Sequence, residues 1–138
     1  MIIVDTDIVT LMHAEHPGIP RHLRSNREPL AITIVSVIET LRGRFDFLLK
    51  ASTKMQFLHA QKLLRISSQK LDELPTLFLD EKALDHFETL RSSKGLKKIG
   101  RADLLIASIT LAHEATLVTR NLKHFKLIPH LNLVNWVD

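Results

Sequence analysis

The sequence predicts an α/β fold: a mostly parallel sheet of four to five strands flanked by helices on both faces. Three observations predict it. Short apolar runs, most of them β-branched, recur at residues 1–4, 30–35, 76–79, 116–119 and 131–136. Segments with helical apolar spacing separate them. No internal repeat, low-complexity tract or linker interrupts the alternation. Strands alternating with helices stack as a parallel sheet covered on both sides. A chain of 138 residues suits one domain with a single core, spanning 1–138.

Each element has its own signal. Met1–Val4 is branched and strand-like. It ends at Asp5-Thr6-Asp7, where Thr6 is the expected cap of a helix through Ile8, Val9, Leu11 and Met12. The stretch HPGIP at 16–20 is a loop or opens a second short helix. Leu30–Val35 is the second strand. It passes into SVIE at 36–39, which has the spacing of a capping box and announces a helix. Residues 54–74 read as an amphipathic helix, with Met55, Leu58, Leu63, Ile66 and Leu71 apolar. Thr76–Leu79 is a strand, and a helix over 81–93 follows through Leu84, Phe87 and Leu90. Gly95 and Gly100 bracket a basic loop, KGLKK at 94–98. A helix led by Asp103 comes next, then strands at Thr116–Thr119 and Leu131–Trp136. Phe125 and Trp136 are expected in the core.

Composition narrows the class. The hydrophobic fraction is 45%, with only 4 Gly and 5 Pro, which argues against disorder. No uncharged apolar run is long enough to span a bilayer. The N-terminal MIIVDTD lacks a basic leader and reaches two acids by residue 7, so it does not read as a signal peptide. The chain has no cysteine, which excludes disulfides, thiolate zinc sites and cysteine nucleophiles. That absence fits a reducing cytosol, so a cytoplasmic location is expected. The balance of 19 Lys+Arg against 15 Asp+Glu is compatible with a polyanionic partner. The 8 histidines show no metal-site spacing such as HExxH.

Asp103 is the only acid between Glu88 and Glu114, and it opens a helix that is apolar almost all round. A buried charge is expensive unless it is paired, hydrogen-bonded or bound to metal. Two other acids stand where they can meet it. Asp5 ends the first strand, and Glu39 lies one turn into the helix after the second. In open α/β sheets, sites form beyond the carboxyl ends of the strands. Three carboxylates converging there repel, and they call for a hard cation such as Mg²⁺ or Mn²⁺. A carboxylate cluster holding such ions suits hydrolysis of phosphodiesters. Each acid also has a purely structural reading. Asp5 serves an Asx-type turn, Glu39 completes the capping box of Ser36, and Asp103 complements the helix dipole.

Four fragments, in order, carry a resemblance. MIIVDTD is similar to an opening strand with an Asp-Thr-Asn motif. SVIETLRG at 36–43 resembles a Glu motif with its trailing Gly. IGRADLLIAS at 99–108 resembles an Asp-x-x-Ile-Ala helix. LVTRNLKHF at 117–125 resembles a Thr-x-Asn-x-x-Asp-Phe motif, and VNW at 134–136 a closing strand. Together they resemble the PIN-domain ribonucleases, in particular the VapC-type toxins of prokaryotic toxin–antitoxin pairs. The resemblance runs nearly end to end. It implies a PIN-like fold and a metal-dependent endoribonuclease with Asp5, Glu39 and Asp103 as catalytic residues holding Mg²⁺ or Mn²⁺. Thr6, Thr119 and Asn121 would support these ligands. It also implies a homodimer, an antitoxin partner that blocks the site, and a structured RNA substrate such as transfer or ribosomal RNA. Two positions depart from the family. Asp7 stands where Asn is usual, and either adds a negative charge to the metal site or favours the helix start. His124 stands where the fourth acid is usual. An imidazole there either binds Mn²⁺ in preference to Mg²⁺, contacts phosphate, or does nothing.

Arg42, Arg44, Arg101, Arg120 and Lys123 lie in the segments that carry the acids and are candidates to ring the pocket and hold RNA phosphates. With 6 Phe, 1 Trp and no Tyr, little aromatic surface is left for stacking bases. The apolar positions of the helices at 54–74 and 81–93 are candidates for a dimer or antitoxin surface. Three rival readings stay open: a non-catalytic or weakly active PIN-fold binding protein, a housekeeping PIN nuclease, and a phosphoacceptor receiver domain. The last is disfavoured, because the second strand leads to a Glu inside a helix.

Overall fold

The computed structural model describes Met1–Asp138 in full. Its elements, in chain order, are β1 (Ile2–Val4), α1 (Thr6–His13), α2 (Gly18–Ser25), β2 (Leu30–Thr33), α3 (Ile34–Leu49), α4 (Lys54–Leu71), β3 (Thr76–Leu77), α5 (Glu81–Arg91), a 3₁₀ turn (Lys94–Leu96), α6 (Arg101–Ala112), β4 (Thr116–Val118), α7 (Leu122–Phe125) and β5 (Asn132–Val134). The five strands form one sheet in the order β3-β2-β1-β4-β5, and every pairing is parallel. No helix is long and apolar enough to cross a membrane.

The strand period of two divides the core between the faces of the sheet. Ile3, Ala31 and Leu117 pair in register and point to one face, where Phe87 and Leu90 of α5 and Ile106 and Ile109 of α6 cover them. Val4, Ile32 and Val118 point to the other, against Ile8 and Val9 of α1 and Ile19 of α2. Phe125 and Trp136 are buried, as expected.

The strand order places the functional edge. β1 continues through α1 to β2 on one side, whereas β4 continues through α7 to β5 on the other. The carboxyl ends of β1 and β4 therefore flank a topological switch point, where open α/β sheets bind ligands. Asp5 N donates to Val118 O at 3.1 Å, which fixes the first residue after β1 against the end of β4.

Several expected boundaries shift. Asp5, not Thr6, caps α1, its Oδ1 accepting from Ile8 N at 3.0 Å. Ser36 does not cap α3. The cap lies three residues earlier, where the buried Thr33 Oγ1 accepts from Ser36 N at 3.2 Å. Thr33→Ala should cost about 1 kcal/mol of stability through that lost cap, measurable by urea unfolding. α4 ends at Leu71 and is opened by a capping box of Thr53 and Gln56. β3 keeps only Thr76 and Leu77, β2 stops at Thr33 where α3 begins, and β5 keeps only Asn132–Val134. The HPGIP stretch opens α2. α3 and α4 form a helical hairpin, tied by Arg44 Nε donating to Ser67 Oγ at 2.9 Å. Of the apolar positions read on α4, Met55, Leu58 and Ile66 lie exposed, as do Phe45, Phe47 and Leu49 of α3.

Candidate active site

Asp5 is 5% exposed, and its carboxyl is held from two sides. Ile8 N donates to it, and the Thr119 hydroxyl lies against it. Thr119 Oγ1 in turn accepts from Asn121 N at 3.0 Å. Asn121 thus supports the site through its backbone N–H, while its side chain is exposed. Burial pushes the Asp5 carboxyl from 3.8 up to about 6. The bonds from Thr119 and Ile8 oppose that rise, and the negative charges of Asp7 and Asp103 add to it. An Asx-type cap explains the Ile8 bond but not three acids within electrostatic range of one another.

Glu39 is placed by a chain of hydroxyls. Thr6 Oγ1 donates to Glu39 Oε1 at 2.6 Å and lies 2.8 Å from Ser36 Oγ. A hydroxyl has one proton, so Ser36 is the donor to Thr6. Ser36 and Glu39 sit at i and i+3 on one face of α3 and reach across to the first residue of α1. The capping-box explanation for Glu39 therefore fails: its carboxylate faces a neighbouring element, not its own helix terminus. The role of Ser36 was not anticipated from sequence, although its i,i+3 relation to Glu39 was the signal. Thr6→Val breaks both bonds. The expected result is a loss of about 1–2 kcal/mol in urea unfolding, together with weaker Mn²⁺ binding by calorimetry, since Glu39 loses its anchor.

Asp103 occupies the third position of α6, whose cap residue, Gly100, supplies no side-chain bond. Its carboxylate makes no hydrogen bond to the free N–H groups of that helix. Instead its Oδ2 lies 3.3 Å from His124 Nε2. That nitrogen is closed off from solvent and has no aligned hydrogen-bond partner, so the contact is one of proximity and charge. Burial raises the Asp103 carboxyl above its ordinary 3.8, His124 lowers it, and the charges of Glu39 and Asp7 raise it again. A dipole-complementing role alone does not explain why Asp103 faces two other acids and a half-buried imidazole.

Asp5, Glu39, Asp103, Asp7 and His124 are thus gathered at the carboxyl edge of the central strand. None of these acids is ion-paired to lysine or arginine. No three His, Asp or Glu side chains are grouped closely enough to hold one ion as they stand. Thr6 takes up the Glu39 carboxylate instead. The donor set is all oxygen apart from one imidazole, which suits a hard divalent ion. The sequence-expected basic ring does not close around the acids. Arg44 points to Ser67 on α4, and Arg120 pairs with Asp138 at 3.4 Å. Arg101 lies over the Phe87 ring, while Arg42 and Lys123 are exposed.

A five-stranded parallel sheet with acids gathered beyond the carboxyl ends of its central strands defines the class: an open α/β protein with an acidic edge at its topological switch point. Comparison with known proteins specifies it further. The PIN domain family matches residues 2–131, and the chain belongs to that family. A stretch of 69 residues is 46% identical to Ribonuclease VapC2 of Rickettsia felis. That match covers 48% of this chain and about half, 51%, of the relative. The crystal structure of VapBC2 from Rickettsia felis bound to a promoter DNA fragment is similar over 99% of both chains, with 32% identity and a TM-score of 0.76. The DNA-bound VapBC structure from Salmonella typhimurium shares the fold at 21% identity, with a TM-score of 0.80 over 98% of this chain and 97% of that one.

Proposed function

We propose that this chain is a metal-dependent endoribonuclease, a toxin of the VapC type that hydrolyses RNA phosphodiesters and is neutralised by a cognate antitoxin. The observation that carries it is the convergence of Asp5, Glu39 and Asp103, from three separate segments, on one edge of the sheet with no lysine or arginine paired to them. Its similarity to a ribonuclease and to toxin–antitoxin complexes supports the same reading. Asp5, Glu39 and Asp103 would hold Mg²⁺ or Mn²⁺, with Asp7 and His124 beside them. An ion held by these residues would supply an acidified water and neutralise charge on the phosphate.

The protein's own groups orient and tune the site. Ile8 N–H and the Thr119 hydroxyl fix the Asp5 carboxyl, and the Ser36–Thr6 relay fixes Glu39. His124 balances Asp103, and its imidazole favours Mn²⁺ over Mg²⁺. Arg101 is the basic residue nearest the acids along the chain and binds substrate phosphate. Arg42, Arg120 and Lys123 contribute weaker, exposed contacts. The α3–α4 hairpin, with its exposed Phe45, Phe47, Leu49 and Met55, is the surface for a second copy or the antitoxin. The protein acts as one domain over 1–138 in the cytoplasm, with transfer or ribosomal RNA as substrate.

The test is to incubate the purified protein with total cellular RNA in Mn²⁺, in Mg²⁺ and in EDTA. The proposal expects discrete cuts with either metal, more with Mn²⁺, and none in EDTA. A second reading, a non-catalytic PIN-fold binding protein, is favoured by the absence of any preformed three-ligand cage. It expects intact RNA in all three conditions.

A further inference from the structure

Between α5 and α6 lies a cleft of about 320 Å³ with three cations on its walls, Arg91, Lys97 and Arg101, and no acid among its lining residues. Phe87, Leu96, Ile99 and Leu104 complete its lining. The guanidinium carbons of Arg91 and Arg101 each lie 5.6 Å from the centroid of the Phe87 ring. This cation–π contact holds two long side chains in place on one buried ring. A guanidinium lying over a ring keeps N–H donors at its edge, in the fork that fits a phosphate. Arg101 makes no side-chain hydrogen bond or ion pair. Arg91 pairs only with Glu88, one turn back on its own exposed face, at 2.8 Å, an interaction worth little in water.

The surrounding segment strengthens the pattern. Residues 91–101 carry Arg91, Lys94, Lys97, Lys98 and Arg101 without a single acid. The basic loop noted in the sequence contributes Leu96 and Lys97 to the lining of this cleft. Arg101 opens α6 and Asp103 follows two residues later, so the cleft and the carboxylate edge share the first turn of that helix. Asp103 turns toward His124, and Arg101 turns toward Phe87 on α5. One helix turn thus presents an acid to one side and a cation to the other.

We propose that Arg91, Lys97 and Arg101 form a second phosphate-binding site, which grips the RNA backbone beside the scissile phosphate, aided by Lys94 and Lys98 on the loop that carries Lys97. The inference rests on the ribonuclease reading and gives its substrate a path across the protein. The buried Phe87 ring is covered by the two arginines and offers no face to a base, so the grip reads backbone rather than sequence.

The probe is a dye-labelled single-stranded RNA of random sequence, bound in EDTA and followed by fluorescence anisotropy across a KCl series. Each phosphate contact to a single strand contributes about 0.7 to the salt slope. The triple variant Arg91→Gln, Lys97→Gln, Arg101→Gln is expected to bind about 10–100-fold more weakly near 0.1 M salt, with a slope shallower by about 2. Lys94→Gln with Lys98→Gln leaves the Phe87 stack intact and so keeps the wild-type melting temperature. Its slope should fall by about 1. Wild-type slopes in both variants overturn the proposal, as does a wild type that binds no RNA at low salt. Polyglutamate that competes as well as RNA, and loses that competition in the triple variant, overturns it in favour of an acidic protein segment. Wild-type cleavage in Mn²⁺ is scored separately. Salt-dependent binding without any cleavage sinks the nuclease reading and leaves the phosphate site standing.

Discussion

Asp103→Asn is expected to slow RNA cleavage by about 10²–10³-fold, the loss that follows removal of one electrostatic stabiliser from a site. The substitution keeps the shape of the side chain and removes its charge. Its fold cost is small, because Asp103 neither caps α6 nor bonds its backbone. The residues of α6 behind it, Leu104, Ile106, Ala107 and Ile109, stay packed in the core. Asp103 is also the acid that meets both Glu39 and Asp7 through space, so neutralising it removes the charge the other acids share. The measurement is the single-turnover rate of RNA cleavage in Mn²⁺, with melting temperatures in EDTA as the control. A variant that cuts at the wild-type rate would return Asp103 to a purely helical role.

Asp5→Asn is expected to raise stability when metal is absent. Asparagine caps helices as well as aspartate, so the bond from Ile8 N survives. What disappears is a buried charge. The folded carboxyl titrates near 6 and the unfolded one near 3.8, so between these values the folded state holds a proton that the unfolded state has released. The contribution to stability is therefore fully present below the unfolded value. It is lost as pH rises from about 4 through about 6, and above that range the charged carboxylate weakens the fold. The rise from 3.8 to about 6 corresponds to about 3 kcal/mol. In EDTA at neutral pH, Asp5→Asn should melt roughly 5–10 °C above the wild type, and the gap should close toward pH 4. His13 works in the opposite sense: burial lowers its titration point, so its contribution is lost as pH falls. Comparing variant with wild type cancels that background. Equal melting temperatures at neutral pH would mean that Asp5 carries no stored charge.

The sheet was legible because its strands are short, branched and evenly separated by helical periods. Every strand is shorter than its apolar run, by one to three residues, and the edge strand β3 pairs with β2 through only two residues, Thr76 and Leu77, which leaves almost no pattern. Asp5 and Asp103 were legible because strand ends and lone acids on apolar helices are conspicuous. Glu39 was harder, since its Ser-x-x-Glu spacing also fits a cap. Which residue caps a helix depends on where the preceding strand stops pairing, and Thr33 lies at that junction. Arg101 could not be placed beyond its neighbourhood. Residues two apart on a helix point about 200° apart around its axis, and the aromatic partner that captures Arg101 lies on another element. Met55 and Leu58 had the spacing of packed residues but lie exposed. Periodicity reports that a helix has an apolar face, not what covers it.

The account stands on the claim that the acids at the end of β1 hold a divalent cation. The most direct measurement is the melting temperature of the wild type and of Asp103→Asn across a Mn²⁺ titration. A ligand that binds only the folded state adds about 2.7 kcal/mol at one hundred times its dissociation constant. The account predicts a saturable rise in the wild type that is absent or shifted to much higher Mn²⁺ in Asp103→Asn. Identical curves for the two proteins, whether both rise or both stay flat, would contradict it.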